Sequence, residues 1–252
     1  MCEIENQLTE ALAQVTPLEG DAHLFFIELQ PSDSRVIPAK SLEVLSEHEK
    51  RRVRRFHFDS DRYTYFVSHY ALRIILAKYL QCTAAEITFE EGEFGKPEIS
   101  HPKTSLRFNL SHTDGLIAIA LCDTIDCGVD VESTHKVRKL QDLAEHAFSA
   151  QEYESLIALS DEEQITRFYE YWTLKEAYIK AVGRGIGLGL GTFYFDVTQQ
   201  PINIYYNESF GEKPEDWLFQ QGQVSELNKH WALALKTSGA DKLIKPHHVV
   251  LT

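Results

Sequence analysis

The sequence predicts an α+β fold of two lobes built to one plan, residues 1–125 and 126–252. Three observations lead there. The order strand, helices, three strand-like runs occurs twice; capping signatures open the helical stretches; and no run of about 18 apolar residues interrupts the pattern. In the first lobe His23–Leu29 is an apolar run suited to a strand. Ser46-Glu47-His48-Glu49 offers a capping box, and helical spacing continues through Arg51–Phe58 and Arg62–Leu80. Strand-like runs follow at Ile87–Glu90, Leu106–Leu110 and Leu116–Leu121, the last two joined by the hairpin signal Asp114-Gly115. The second lobe starts with a strand at Cys127–Glu132. Capping boxes at Ser149 and Ser160 lead into a helix ending near Val182, and runs at Thr192–Val197, Trp217–Gln221 and Trp231–Lys236 complete the repeat. Thr237–Thr252 reads as a loosely packed tail.

Composition narrows the function. With 43% hydrophobic and 25% charged residues the chain is an ordinary globular protein, and 252 residues suffice to bury roughly three-quarters of the unfolded surface. A net charge of −13 argues against bulk nucleic-acid binding. It leaves room for a local phosphate site, for which Lys50–Arg55, five cations in six residues, is the main basic patch, with Arg62 beyond it. Met1–Gly20 lacks the uncharged apolar core of a signal peptide, so a cytoplasmic protein is expected. Cys2, Cys82, Cys122 and Cys127 show no zinc spacing and read as reduced thiols.

Four segments carry candidate chemistry. In Gly128-Val129-Asp130-Val131-Glu132 the strand period puts Asp130 and Glu132 on one face and the valines toward a core. Oxygen-only ligands of this kind suit Mg²⁺, although two solvated acids on an exposed strand would look the same. In Trp172–Lys180, the residues Trp172, Glu176 and Lys180 fall along one helix face, as a third carboxylate with a cation or as a routine surface pair. Phe108-Asn109-Leu110-Ser111-His112 ends a strand, where Ser111 and His112 could bond phosphate oxygens. In Phe94-Gly95-Lys96-Pro97, Gly95 permits close backbone approach to a flat ligand and Lys96 offers a point charge. Gly183–Gly191 is not a dinucleotide fingerprint, since its third glycine comes one position early and it follows a helix; it reads as a hinge or helix-terminating loop.

Together with Phe148-Ser149-Ala150-Gln151-Glu152, these segments resemble the Sfp-type 4′-phosphopantetheinyl transferases in order and spacing, over roughly residues 45 to 195. The resemblance implies a pseudo-duplicated α+β fold and transfer of 4′-phosphopantetheine from coenzyme A to a serine of an apo acyl or peptidyl carrier protein, releasing 3′,5′-ADP. It further implies Mg²⁺ on Asp130, Glu132 and Glu176. Lys180 would stabilise the phosphates and leaving group, and Glu176 or Glu132 would act as base. Lys96, Ser111 and His112 look like coenzyme A contacts, with Arg52 and Arg55 reaching the 3′-phosphate and Arg62 or Arg73 as substitutes. The chain departs from the family at Thr64, where arginine is frequent. A monomer is expected, with no nucleic-acid or membrane partner, and Lys136–Lys139 is the first basic stretch for carrier docking. The alternative is another Mg²⁺-dependent phosphoryl-transfer or phosphodiester-cleaving enzyme built on the same acids.

Overall fold

The computed structural model describes residues 3–30, 36–134, 139–185, 189–207, 212–240 and 242–251. They form two compact units, Met1–Gly92 with Pro97–Thr124 and Leu243–Thr252, and Glu93–Lys96 with Ile125–Lys242.

The first unit begins with helix α1 (Glu3–Ala13), which the sequence reading had not recognised. Ile4, Leu8 and Leu12 recur every fourth residue, and all three are buried. Strand β1 (Ala22–Leu29) lies at the centre of a four-stranded sheet. Two helices follow, α2 (Glu47–Arg55) and α3 (Asp59–Leu80). At the start of α2 the capping box is complete, the Ser46 hydroxyl accepting from the Glu49 N–H while the Glu49 carboxylate accepts from the Ser46 N–H. Then come β2 (Thr88–Glu91), β3 (Pro97–His101), β4 (Leu106–Thr113) and β5 (Leu116–Asp123). The expected three-strand run is therefore four, because β3 pairs with β2 in a separate two-stranded ribbon. Asp114-Gly115 closes the β4–β5 hairpin, with Gly115 at φ +77°. The core packs α3 residues such as Phe66, Tyr70 and Ile75 with Phe25, Ile27, Phe108 and Ile119 of the sheet.

The expected loose tail is instead strand β11 (Ile244–Leu251), parallel to β1 over its whole length, from Ala22 opposite Ile244 to Leu29 opposite Leu251. Val249 and Leu251 are buried, so this stretch is part of the first unit's core rather than an appendage of 126–252. The sheet order is β11-β1-β5-β4.

The second unit repeats the plan. β6 (Cys127–Ser133) is followed by α4 (Leu140–Ala147), α5 (Ala150–Ile157) and the long α6 (Asp161–Val182). Then come β7 (Phe193–Asp196), β8 (Asn203–Tyr206), β9 (Trp217–Val224) and β10 (Lys229–Lys236). Here too the run holds four strands, the additional one being β8, paired with β7. β6, β10 and β9 form an antiparallel sheet against which α6 packs, burying Tyr169, Leu174, Tyr178, Phe195, Phe219 and Ala234. Both capping boxes are present, at Ser149 with Glu152 and at Ser160 with Glu163. Gly183 ends α6 in the left-handed region at φ +73°, its N–H donating to Ile179 O at 2.9 Å. That confirms a helix-terminating role for the start of the glycine-rich segment; its residues 186–188 lie outside the described residues, as do 135–138 of the basic stretch before α4.

The α+β class predicted from the sequence is the class of the structure. Among the described residues no helix is long and apolar enough to cross a membrane.

Candidate active site

The second unit concentrates the acidic set where α6 crosses β6. Gly128 makes this crossing possible. A Cβ built there would stand 2.0 Å from Ala177 O and 2.4 Å from Ala181 N, so only glycine lets the helix backbone settle onto the strand. Asp130 and Glu132 follow on the same strand face, toward α6, while Val129 and Val131 are buried on the opposite face. The face is not a solvated one, since Asp130 is only 4% exposed.

From α6, Lys180 donates to Asp130 Oδ1 at 2.6 Å and to Val129 O at 3.3 Å. Trp172, two turns earlier, stacks on Phe168 at 5.7 Å between centroids and hydrogen-bonds the Glu132 side chain. Glu176 lies between them and feels the charges of Asp130 and Lys180. The i, i+4, i+8 face read from the sequence is thus the face that meets the strand. Burial and then the Asp130 charge push the Glu132 carboxyl up to about 7, against the pull of Lys180. Burial and Asp130 likewise raise Glu176, again opposed by Lys180. One ammonium among three acids leaves the cluster short of positive charge. Among the described residues, however, no three His, Cys, Asp or Glu side chains form a ready-made metal-holding group.

Lys96 also belongs to the second unit. Its Nζ donates to Ala181 O at 2.9 Å and Cys127 O at 3.2 Å, at the end of α6 and the start of β6. Gly95 sits at φ +82° with open space where a Cβ would be, so the turn's conformation, not crowding by the protein, is what calls for glycine.

In the first unit a cavity of about 530 Å³ is lined by His48, Arg51, Arg52, Arg55 and Phe56. Lys50 is paired with Glu47 at 2.9 Å. Beneath the helix, the buried Glu49 carboxylate accepts from Arg73 Nη2 at 2.8 Å and lies 3.1 Å from His69 Nδ1. Burial alone would raise Glu49, but the hydrogen bonds from His69 and Arg73 outweigh it and hold the carboxyl at about 2. Arg73 is buried and donates also to Ala84 O and Ile87 O, so it is committed to the core, whereas Arg62 lies nearer the surface, paired with the exposed Asp59 and with Phe56 O. On β4, Ser111 is buried and His112 exposed; adjacent strand positions turn them to opposite faces, so one phosphate cannot meet both from one side.

Gly128 and the Arg73–Glu49 pair escaped the sequence reading. The signal for the first was a glycine two residues before an acid on a strand beneath a helix.

The second unit thus brings an acidic strand and helix together with one lysine. Residues 126–236 match the 4′-phosphopantetheinyl transferase superfamily, and residues 29–124 match the 4′-phosphopantetheinyl transferase N-terminal family. The chain is 35% identical over 174 residues to the 4′-phosphopantetheinyl transferase HetI of Nostoc sp., covering 68% of this chain and 73% of that one. It is 30% identical over 152 residues to the 4′-phosphopantetheinyl transferase Sfp of Bacillus subtilis, covering 60% and 66%. The crystal structure of Thermotoga maritima holo-[acyl-carrier-protein] synthase is similar at 19% identity with a TM-score of 0.39, over 45% of this chain and 64% of that one. This chain belongs to the 4′-phosphopantetheinyl transferase family and is an enzyme of that class.

Proposed function

We propose that the enzyme moves 4′-phosphopantetheine from coenzyme A to a serine of an apo acyl or peptidyl carrier protein, releasing 3′,5′-ADP. The observation that carries this reading is the set Asp130, Glu132, Glu176 and Lys180 gathered on β6 and α6 in a chain whose relatives are named phosphopantetheinyl transferases. The acids fit Mg²⁺ by chemistry: all donors are oxygens, and burial with mutual repulsion raises two of them, a cost that a cation beside them relieves. Asp130, Glu132 and Glu176 would hold the ion, which when bound supplies neutralising charge for the diphosphate.

The serine oxygen bonds to the β-phosphorus, the diphosphate P–O bond breaks, and the serine proton passes to a carboxylate. Glu176, whose carboxyl is raised by burial and by Asp130, is the proposed base, and Glu132, pushed up to about 7, is the alternative. Lys180, now on Asp130, turns its charge to the phosphates and the leaving 3′,5′-ADP. Arg52 and Arg55 are proposed for the 3′-phosphate in the cavity they line, and Ser111 or His112, one of the two since they turn to opposite faces, for another phosphate oxygen. We read the protein as a cytoplasmic monomer with Cys82, Cys122 and Cys127 as free thiols.

The test is incubation with labelled coenzyme A and a panel of apo carrier proteins. Label should reach a carrier with one 3′,5′-ADP released per transfer, and transfer should stop in EDTA and in Asp130→Ala. Product release without any carrier would favour the phosphodiester-cleaving alternative.

A further inference from the structure

We infer that Lys96 is a positioning residue that clamps the end of α6 to the start of β6, rather than a ligand of coenzyme A. The inference rests on the proposed transferase reading only for its catalytic consequence.

The last carbonyls of a helix have no intrahelical partner and carry the negative end of its dipole, so a cation that binds them holds the terminus. At the end of α6, Ile179 O is taken by the Gly183 N–H and Ala181 O by the Lys96 ammonium. The same ammonium reaches Cys127 O, the first residue of β6. One side chain therefore ties the terminal turn of the helix to the strand it crosses. The Lys96 stem lies along the cap as well, its Cδ 3.2 Å from where a Cβ on Gly183 would stand.

What this turn carries explains why the tie matters. Lys180 precedes Ala181, and Glu176 is about one turn earlier. Asp130 is three residues along the strand from Cys127. The crossing is close, with Gly128 beneath Ala177 and Ala181, so a small shift of the helix end moves Lys180 against Asp130. Two lysines hold the turn: Lys180 through the reacting cluster and Lys96 outside it. When Lys180 leaves Asp130 for substrate phosphates, Lys96 keeps the helix end in place.

The test compares wild type with Lys96→Met and Lys96→Arg by calorimetric affinity for coenzyme A, kcat at saturating coenzyme A, and hydrogen exchange. Lys96→Met should lower kcat on the order of tenfold to a hundredfold, the scale of an ångström-level misplacement. Its Kd for coenzyme A should stay within about twofold of wild type, the split expected of a group that does not touch the ground-state substrate. Arginine, which can donate to both carbonyls, should restore most of kcat. Exchange at the Ala181, Val182 and Gly183 amides should quicken in Lys96→Met alone. A rise in Kd of tenfold or more with kcat unchanged would make Lys96 a coenzyme A ligand and overturn the clamp. Unchanged exchange at residues 181–183 would overturn it as well. If the wild type transfers nothing to any carrier, the functional reading has failed, and the exchange comparison alone still decides for or against the clamp.

Discussion

Removing one partner of the Lys175–Glu152 pair should destabilise the protein more than any other single polar substitution in the second unit. Lys175 is fully buried in α6, with Glu152 Oε2 at 2.7 Å, Leu190 O at 2.6 Å and Phe193 O at 2.7 Å from its Nζ. Glu152 is as deeply buried, and its other oxygen accepts the Phe195 N–H at 3.0 Å. Lys175→Met leaves that carboxylate charged in the core, a cost of about 3–5 kcal/mol. Glu152→Gln strands the ammonium in the same way and should cost a similar amount. The double variant buries no charge. It still leaves the Leu190 and Phe193 carbonyls without their donor, roughly 1–3 kcal/mol each at most, so recovery should be partial. Urea denaturation of all four proteins gives the coupling directly, and about 2 kcal/mol or more is expected. A loss below about 1 kcal/mol for Lys175→Met, or additive single losses, would refute the claim that the pair is held together by its isolation from water. Lys175→Met should also lower activity, because Leu190 and Phe193 would lose their anchor to the helix that bears Glu176.

Gly128→Ala should abolish activity and cost about 3 kcal/mol or more by chemical denaturation, since the new methyl overlaps helix backbone that cannot rotate away; near-wild-type stability would mean that α6 does not sit as described. His23 is buried, its Nδ1 2.5 Å from Tyr79 Oη, and burial lowers its pKa to about 4. The unfolded chain takes up that proton near 6.5 and the folded one only near 4, so acid favours unfolding and stability falls between these values, by up to about 3 kcal/mol. His23→Phe should flatten that slope in urea titrations at pH 7 and 4.5, and an unchanged slope would assign it elsewhere, first to the buried His230, whose pKa burial also lowers to about 4. Arg52→Ala should raise the KM for coenzyme A about tenfold while leaving dephospho-coenzyme A little affected; equal effects on both would move the 3′-phosphate contact to Arg51 or Arg55.

What could be read from the sequence was what depends on near neighbours. The Ser46, Ser149 and Ser160 capping boxes, the Asp114-Gly115 hairpin and the α6 face of Trp172, Glu176 and Lys180 are settled by residues within one or two turns. β3 opens on Pro97 and holds one aliphatic residue, Ile99, and β8 holds only Ile204, so neither shows the apolar alternation that marks a strand, although their ribbon partners β2 and β7 were read. β11 was missed because Lys245-Pro246-His247-His248 reads as a polar tail until its partner, more than two hundred residues earlier, is known. Lys96 illustrates the same limit at the site. Its charge was evident, but the carbonyls that receive it lie 31 and 85 residues away.

The pairing of β1 with β11 has a consequence for how the protein is made. Leu24-Phe25-Phe26-Ile27 leaves the ribosome more than two hundred residues before β11, and one flank of that strand can be satisfied by β5 as soon as the hairpin forms. The other flank has to wait for residues 244–251, so throughout elongation of the second unit a long apolar strand presents an unpaired edge. The second unit, whose strands all come from residues 127–236, has no such dependence and can close first. Stalled or shortened chains ending before residue 244 should therefore be prone to sheet-to-sheet aggregation even though every residue of the acidic cluster is already present.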